Sequence, residues 1–211
     1  ALSMLLVMVL VLSIPVMACA ATAVPNSVIQ ATESVVRIFS EYRYDIGSGS
    51  GFVIKSSRSE TLVATNYHVV EGAPLGIYVV SREGELLDAH VLASDKNRDI
   101  CILSLDKPLS MKALRFDTKP RQGEAVYAVG YPAASDAFSD EIAYKSEEAT
   151  ITDGIISSLR QFTVDNKGNM VSALQISAAI NPGNSGGPLL NAKGQVLGID
   201  TWGIDDSQGI F

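Results

Sequence analysis

The sequence predicts an all-β domain. Short apolar runs recur along the chain, and clusters of Gly, Asp and Ser separate them, which is the pattern of strands joined by turns. A hydrophobic content of 47% is ample for a buried core. The length of 211 residues suits one domain, or one unit built from two β-barrels.

The apolar runs also place the individual elements. We predict a lead-in over residues 24–31, with a helix as one interpretation, a glycine-rich turn at 47–51, a connection between two barrels at 106–124, an acidic surface loop at 131–148 and a polar loop at 161–171. The predicted strands are residues 35–39, 52–55, 61–66, 75–80, 86–93, 100–105, 125–130, 149–157, 174–176, 188–190 and 195–202.

Residues 1–23 form a predicted leader without charged side chains. The apolar run 2–23 resembles the core of a secretory signal, and it ends in small-residue cleavage patterns at 18–20 and 21–23. About 20 apolar residues also suffice to span a bilayer, so an uncleaved membrane anchor is the alternative. We expect an exported protein, periplasmic or extracellular, that meets a membrane only through this segment if it stays uncleaved.

Charge and cysteine usage exclude several classes of protein. A net charge of −7 gives no electrostatic reason to bind nucleic acid. Cys19 lies in the leader and Cys101 in an apolar strand, so the mature part cannot form an internal disulfide, and export without disulfides favours a bacterial envelope protein. The remaining cysteine and two histidines, without a His-Glu-x-x-His motif, are too few for a metal site, and we predict no cofactor.

The stretch 181–190, Asn-Pro-Gly-Asn-Ser-Gly-Gly-Pro-Leu-Leu, is suited to hold a nucleophilic hydroxyl. Ser185 lies among small and turn-forming residues just before an apolar strand. Glycines allow backbone conformations closed to other residues and leave room for a substrate carbonyl. They also leave backbone N–H groups free to form an oxyanion hole. A tight turn before a strand is the alternative, since the same residue types favour turns.

A serine nucleophile needs a base, and the base needs an orienting carboxylate. His68 follows an apolar run at a strand end, whereas His90 lies inside an alternating strand. Asp99 directly precedes an apolar strand, whereas Asp95 is predicted to cap a turn. We therefore predict a triad of His68, Asp99 and Ser185.

Four blocks of sequence carry a family resemblance. They are residues 47–54 (Gly-Ser-Gly-Ser-Gly-Phe-Val-Ile), 65–70 (Thr-Asn-Tyr-His-Val-Val), 99–103 (Asp-Ile-Cys-Ile-Leu) and 178–188 (Ala-Ala-Ile-Asn-Pro-Gly-Asn-Ser-Gly-Gly-Pro). In this order they resemble a trypsin-like serine protease of the chymotrypsin fold, of the HtrA (DegP-type) branch. The order His, Asp, Ser differs from the subtilisin and α/β-hydrolase orders.

The resemblance implies a fold and its boundaries. A trypsin-like protease domain over residues 24–211 would consist of two six-stranded antiparallel barrels, the first at about 34–108 and the second at about 122–211, with the active site in the cleft between them. Proteins of this fold normally finish with one more strand and a helix, so this element is expected to be truncated here.

The resemblance also assigns site residues by position. The backbone N–H groups of Gly183 and Ser185 would form the oxyanion hole, with Asn184 shaping the turn between them. The pocket for the substrate side chain before the scissile bond, S1, would be lined by Ala179, Ile180, Asp200, Thr201, Trp202 and Gly203.

The expected function is a serine endopeptidase that cleaves unfolded or flexible protein segments in envelope quality control. Ala179 resembles the position where an aspartate in trypsin selects Lys or Arg, and alanine offers no charge, so cleavage after aliphatic residues is expected. Asp200 is the opposing feature, because an inward carboxylate could pair with a basic side chain. The family resemblance further implies a homo-oligomer, a trimer. The alternative function is a catalytically latent protease-fold module that binds polypeptides or acts as a chaperone.

Overall fold

The computed structural model describes residues 23–81, 83–133, 148–163 and 168–201, and this part of the chain is mostly β-structure. The all-β prediction is therefore confirmed. In chain order the elements are α1 (Asn26–Thr32), β1 (Val35–Glu41), β2 (Ile46–Ser56), β3 (Thr61–Thr65), α2 (Tyr67–Val70), β4 (Gly76–Val80), β5 (Leu86–Asp95), β6 (Ile100–Leu105), β7 (Ala125–Gly130), β8 (Thr150–Thr163), β9 (Met170–Ile176), β10 (Pro188–Asn191) and β11 (Val196–Ile199).

Strands β1 to β6 close into one antiparallel barrel in the order β1-β2-β3-β6-β5-β4. Strand β1 pairs with both β2 and β4, so the barrel leaves no edge strand. Along β6 buried and half-buried side chains alternate, because successive side chains of a strand point to opposite faces. The interior is filled by side chains that include Val36, Ile38, Val53, Val63 and Leu103.

Cys101 belongs to this apolar interior. It is fully buried and has no disulfide partner among the described residues. Burial raises the pKa of its thiol to about 11. The thiol therefore stays protonated at neutral pH and packs as a small apolar group.

The glycine-rich stretch 47–51 lies inside strand β2, so the predicted turn is wrong. The stretch pairs residue by residue with β1. A Cβ added to Gly49 would lie 2.6 Å from Val69, and one added to Gly51 would lie 2.8 Å from Ile38. These two glycines allow close packing on one face of an extended strand, which local sequence does not distinguish from a turn.

Strands β7 to β11 form a second antiparallel sheet, in the order β11-β10-β7-β8-β9. Of the second barrel implied by the resemblance, the described residues form this five-stranded half-barrel. Its core contains Val126, Ala128, Ile156, Leu174 and Leu189.

The segment 161–171 was predicted as a polar loop, but both of its ends belong to the β8–β9 hairpin. Phe162 pairs with Val171 in this hairpin. The main-chain hydrogen bonds of the ladder satisfy the backbone while polar side chains face solvent, so low hydrophobicity did not prevent strand formation. Residues 164–167, and residues 134–147 of the predicted acidic loop, lie outside the described part.

A shared apolar cluster joins the two sheets. Helix α1 sits in this cluster, and the helix that was one interpretation of its segment is confirmed. The Ser27 hydroxyl anchors the helix by donating to the Ala192 carbonyl at 2.6 Å. The cluster draws side chains from α1, the barrel and the second sheet, among them Val28, Ala31, Phe52, Val129 and Leu190. The two sheets are therefore held as one packed unit.

The predicted leader, residues 1–23, lies outside the described residues except for Ala23. The predicted truncation concerns the chain after residue 201, which is also outside them. Within the described ranges, neither helix has the length and apolar character needed to cross a membrane.

Candidate active site

His68 and Asp99 form a doubly hydrogen-bonded pair. Helix α2, which carries His68, starts directly after β3, and Asp99 directly precedes β6, which pairs with β3. The Nδ1 atom of His68 lies 2.7 Å from Oδ2 of Asp99, and the backbone N–H of His68 donates to Oδ1 at 2.9 Å. Because one carboxylate holds both the ring and the backbone of His68, the orientation of the imidazole is fixed.

The backbone of Asp99 is also directed at the segment of His68. Asp99 has a φ of +53°, the only positive φ of a non-glycine residue in the described ranges. Aspartate tolerates this left-handed conformation better than most residues. Its carbonyl accepts hydrogen bonds from the Asn66 side-chain amide at 2.8 Å and from the Tyr67 N–H at 3.2 Å. The carboxylate and the backbone carbonyl of Asp99 therefore both bind the segment around His68.

The Asp99 carboxylate is charged at neutral pH. Burial is the largest influence and alone would raise its pKa, but hydrogen bonds from the ring and backbone N–H of His68 and from the Thr201 hydroxyl together lower the pKa. The Thr201 Oγ1 donates to Oδ2 at 2.8 Å. Since Thr201 follows β11, this bond ties the second sheet to the pair in the barrel.

The rival residues lie in other hydrogen-bond networks. Asp95 accepts the N–H groups of Asn97 and Arg98, each at 3.1 Å, and so caps the turn between β5 and β6. The Nε2 of His90 pairs with Asp106 at 2.9 Å. Neither residue is bonded to the pair described above.

Ser185 lies in a tight turn that leads into β10. The Asn184 N–H donates to the Asn181 carbonyl at 3.0 Å, and the Gly187 N–H donates to the Asn184 carbonyl at 2.8 Å. Gly183 has a φ of +100°, and a Cβ there would lie 2.4 Å from a neighbouring backbone oxygen. Only glycine fits this position of the turn.

The N–H groups of Gly183 and Ser185 have no hydrogen-bond acceptor within the described part of the chain. The carbonyl before Gly183, that of Pro182, accepts the Ala133 N–H at 2.9 Å, and the carbonyl before Ser185 is bonded within the turn. In a trans peptide the N–H points away from the C=O. Neither N–H donates a hydrogen bond to any of the described residues. Two such amides, one residue apart, can together bind an oxyanion.

Strand β2 of the barrel supports the turn. The Ser50 N–H donates to the Ser185 carbonyl at 2.8 Å, and the Ser50 hydroxyl donates to the Gly183 carbonyl at 2.7 Å. A Cβ on Gly186 would lie 2.1 Å from the Ser50 carbonyl oxygen, and one on Gly49 would lie 3.2 Å from that of Ser185. The barrel and the turn therefore meet backbone to backbone.

Of the predicted triad residues, His68 and Asp99 are connected directly, and Ser185 is connected to Asp99 only through neighbouring residues. Asp99 and His68 are bonded directly, whereas the Ser185 hydroxyl makes no hydrogen bond to His68 here. The residue after Ser185 donates its N–H to the Asp200 carbonyl at 2.7 Å, and Thr201, next in the chain, bonds Asp99. Catalytic hydrogen bonds are often long in the absence of substrate and tighten when it binds.

Comparison with known proteins identifies the family. A family model described as a trypsin-like peptidase domain matches residues 49–199. The chain belongs to this trypsin-like peptidase family. The resemblance of the four sequence blocks is thereby confirmed.

Relatives of this peptidase domain include Do-like HtrA serine proteases. The protein of that name from Lactobacillus helveticus is 35% identical over 161 residues, which is 75% of this chain and 36% of the relative. The Do-like HtrA of Bacillus subtilis (strain 168) is 35% identical over 171 residues, 78% of this chain and 36% of its own. A probable periplasmic serine protease do/HhoA-like from Haemophilus influenzae is 34% identical over 165 residues, 77% of this chain and 32% of its own. The chain thus spans about a third of the length of these relatives.

Solved structures show the same chymotrypsin-like fold. The Rv3671c protease from M. tuberculosis, in its active form, matches with a TM-score of 0.72 and 29% identity, over 90% of this chain and 79% of that chain. The serine endoprotease from Yersinia pestis matches with a TM-score of 0.66 and 28% identity, over 87% of this chain and 59% of that chain.

The predicted pocket residues of the peptidase domain occupy different environments. Ala179 is exposed, and its carbonyl accepts a hydrogen bond from a threonine of β8 at 2.7 Å. Ile180 is half-buried against the core of the second sheet. Thr201 was predicted to line the pocket, and its hydroxyl also bonds Asp99. Trp202 and Gly203 lie outside the described residues.

Sequence reasoning missed one residue that contacts the turn, Ser50. Its signal was present, because Ser50 lies between glycines in one of the four blocks of the family resemblance. Because the stretch was interpreted as a turn, no contact between the Ser50 side chain and the turn of Ser185 was predicted.

Asp200 is a buried carboxyl group beside the turn that carries Ser185. Its relative exposure is 0%, and neither carboxyl oxygen has a hydrogen-bond partner of normal geometry among the described residues. Burial raises the pKa of Asp200 well above its usual range, and only the nearby backbone amide of Val129 opposes this. Folding therefore favours the protonated form of Asp200.

We predict that Asp200→Asn changes the pH dependence of stability. A raised folded-state pKa gives the wild type a stabilising contribution that is fully present below the unfolded pKa near 3.8 and is lost as pH rises towards the folded pKa. The free energy of unfolding of Asp200→Asn, minus that of the wild type, should therefore increase as pH is raised from 4 to 7. Urea denaturation at several pH values measures this difference. A difference that stays constant over this range would show that Asp200 is ionised in the fold.

Proposed function

We propose that this trypsin-like peptidase domain is a serine endopeptidase with Ser185, His68 and Asp99 as its catalytic triad. The observation that carries the proposal is the 2.7 Å pair of Asp99 and His68, joined through Thr201 to the sheet whose turn holds Ser185. A charged carboxylate on Nδ1 leaves Nε2 of His68 as the proton acceptor, which is what a hydroxyl nucleophile requires.

The proposed chemistry is acyl transfer in two halves. The Ser185 hydroxyl oxygen bonds to the scissile carbonyl carbon while its proton moves to Nε2 of His68. The C–N bond then breaks, and the leaving amine takes the proton from His68. Water repeats the sequence on the acyl-enzyme, which releases the second product and restores the Ser185 hydroxyl. Asp99 holds the imidazole in the tautomer with a proton on Nδ1 and stabilises the imidazolium.

The oxyanion hole is proposed to consist of the Gly183 and Ser185 N–H groups, with Asn184 shaping the turn between them. The orientation of the Pro182 carbonyl towards Ala133, at 2.9 Å, supports this, because it directs the Gly183 N–H to the opposite side of the peptide. Removal of one such donor costs a factor of about 10²–10³ in kcat in comparable enzymes.

The proposed substrates are unfolded or flexible protein segments that are cleaved after aliphatic residues. Ala179 offers no charge to a basic side chain, and burial of a Lys or Arg head without a partner is costly. The full burial of Asp200, which raises its pKa, supports the same conclusion, because burial disfavours a charged carboxylate as the partner of a basic side chain. Ile180 packs on an apolar core, in keeping with an apolar pocket.

The proposed setting is protein quality control in a bacterial envelope. The name of the Haemophilus influenzae relative, a periplasmic serine protease, supports export, for which residues 1–23 would be a cleaved signal or an anchor. The protease domain would cover 24–211, with barrels at about 34–108 and 122–211. A homo-oligomer, a trimer by family resemblance, is part of the same proposal.

The alternative, a latent module that binds polypeptides, is not favoured. A latent site would require the oxyanion hole to be blocked or distorted. In this structure the Gly183 and Ser185 N–H groups are unpaired among the described residues, and the Pro182 carbonyl is turned to Ala133. The arrangement suits catalysis without a further change of this turn.

We predict that an active-site fluorophosphonate labels the wild type at Ser185. Ser185→Ala and His68→Ala should abolish peptide hydrolysis and leave the fold intact, since neither side chain is part of an apolar core. Asp99→Asn should lower kcat by roughly 10⁴, because the imidazole would then be held in the wrong tautomer. Asp95→Asn is the matched control and should keep near wild-type turnover, since Asp95 caps a surface turn and pairs with Arg98, away from His68. Mass spectrometry of the adduct and steady-state kinetics measure these effects.

Two outcomes of this experiment would contradict the proposal. Absence of label under any condition would favour the latent binding module. Near wild-type turnover of purified Asp99→Asn would show that Asp99 does not orient His68.

We also predict that peptide-library profiling gives cleavage after Val, Leu, Ile or Ala. Burial of such a side chain contributes about 1.5–3 kcal/mol, or roughly ten- to a hundredfold in kcat/KM over a side chain that stays in solvent. A dominant preference for Lys or Arg immediately before the cut would contradict the aliphatic pocket. Asp200→Asn would then be expected to abolish that preference, which would identify its carboxylate as the partner.

A further inference from the structure

Ser50 is a fully buried residue of β2 whose polar atoms all contact other segments. Its N–H donates to the Ser185 carbonyl at 2.8 Å, and its carbonyl accepts the Thr65 hydroxyl at 2.7 Å. Its Oγ donates to the Gly183 carbonyl at 2.7 Å and accepts the Tyr131 N–H at 2.9 Å. Any residue small enough for this position would keep the two backbone hydrogen bonds. The two hydrogen bonds of the side chain require its hydroxyl group.

The hydroxyl bridges two segments that meet beside the candidate oxyanion hole. One segment runs from Tyr131 to Ala133, and the other is the peptide pair Pro182–Gly183. The Ala133 N–H already holds the Pro182 carbonyl at 2.9 Å. The Ser50 hydroxyl accepts the Tyr131 N–H and donates to the Gly183 carbonyl. One hydroxyl therefore holds both of the segments that the Ala133–Pro182 hydrogen bond joins.

Gly183 needs such an external constraint. Its φ of +100° is accessible only to glycine, and glycine has wide backbone freedom. No side chain of Gly183 itself can fix the direction of its N–H. The Ser50–Gly183 bond and the Ala133–Pro182 bond hold the two carbonyls that flank the rotatable bonds of Gly183.

We propose that Ser50 is a positioning residue for the oxyanion hole, acting through the Gly183 carbonyl and the Tyr131 N–H. The inference rests on the proposed function, because it assigns to Ser50 the orientation of an amide that would bind the oxyanion. Ser50 does not touch the reacting atoms. Loss of its hydroxyl leaves the buried Gly183 carbonyl without this donor and lets the Gly183 peptide take other orientations.

A purely structural function of the hydroxyl predicts a different result. In that case removal of the hydroxyl would lower stability and the fraction of active molecules, with turnover per active site unchanged. Thr61 provides a matched control in the same barrel. Its buried hydroxyl also bridges a backbone donor and acceptor, those of Leu109, at 2.8 and 3.4 Å. Thr61 lies on β3 four residues before Thr65, whose hydroxyl donates to the Ser50 carbonyl. The control site is therefore roughly 13 Å along the strand from the contact with Ser50.

The test compares Ser50→Ala with Thr61→Val in the intact protein, with active sites titrated by fluorophosphonate. We expect Ser50→Ala to lower kcat per titrated site roughly 10- to 100-fold, somewhat less than deletion of a donor, with KM within about threefold. Its affinity for a peptide boronic acid, which forms a tetrahedral adduct, should fall in parallel with kcat/KM. Thr61→Val should lower the melting temperature without changing kcat per site.

Each outcome decides between the two functions of the hydroxyl. Wild-type kcat per site in Ser50→Ala, or an equal loss of kcat in Thr61→Val, would overturn the inference. If Ser50→Ala does not fold, Ser50→Gly keeps both backbone bonds and is expected to show the same loss of kcat, and wild-type kcat there overturns the inference equally. A wild-type protein that takes no label would overturn the proposed function and this inference together, whereas a labelled wild type with an unaffected Ser50→Ala would overturn only the inference.

Discussion

A backbone hydrogen bond joins the two halves of the site: the N–H of Ser50 in the barrel donates to the carbonyl of Ser185 in the second sheet, at 2.8 Å. Such contact of main chain with main chain requires the absence of side chains on both surfaces. Gly49 and Gly186 provide this, since an added Cβ on either would come within 3.2 Å of the opposite backbone. The apolar cluster around α1 then fixes the angle between the sheets, so that the barrel with His68 and the turn with Ser185 remain in one packed unit.

The pKa values of two carboxyl groups, Asp99 and Asp200, are shifted in opposite directions. Asp99 accepts hydrogen bonds from His68 and Thr201, and these donors lower its pKa in spite of burial. Asp200, which precedes Thr201, has no such donor among the described residues, and burial raises its pKa. Hydrogen bonds to the charged form therefore decide which carboxylate can stabilise an imidazolium. Asp99 is therefore the anion next to His68.

The fold class and the pairing of His68 with Asp99 could be predicted from the sequence because these depend on local signals. Strands alternate with turn residues, and His68, Asp99 and Ser185 each lie at the end of a strand. Other features depend on contacts between distant segments. Glycines at 47–51 suit a turn as well as a closely packed strand, and only the approach of Val69 and Ser185 distinguishes the two. The strands in the polar segment 161–171 are stabilised by their pairing with each other, which the composition of the segment does not reveal. The hydrogen bonds of the Ser50 hydroxyl reach residues 81 and 133 positions away.

We propose that the amides of Gly183 and Ser185, which donate to none of the described residues, form an oxyanion hole next to a triad of Ser185, His68 and Asp99. A crystal structure of the protein with a peptide aldehyde that ends in valine tests it most directly. We expect a covalent bond from Ser185 Oγ to the aldehyde carbon, with the resulting oxygen about 2.7–3.1 Å from the N–H groups of both Gly183 and Ser185. An adduct whose oxygen points away from both amides, or an aldehyde bound without a bond to Ser185, would contradict it.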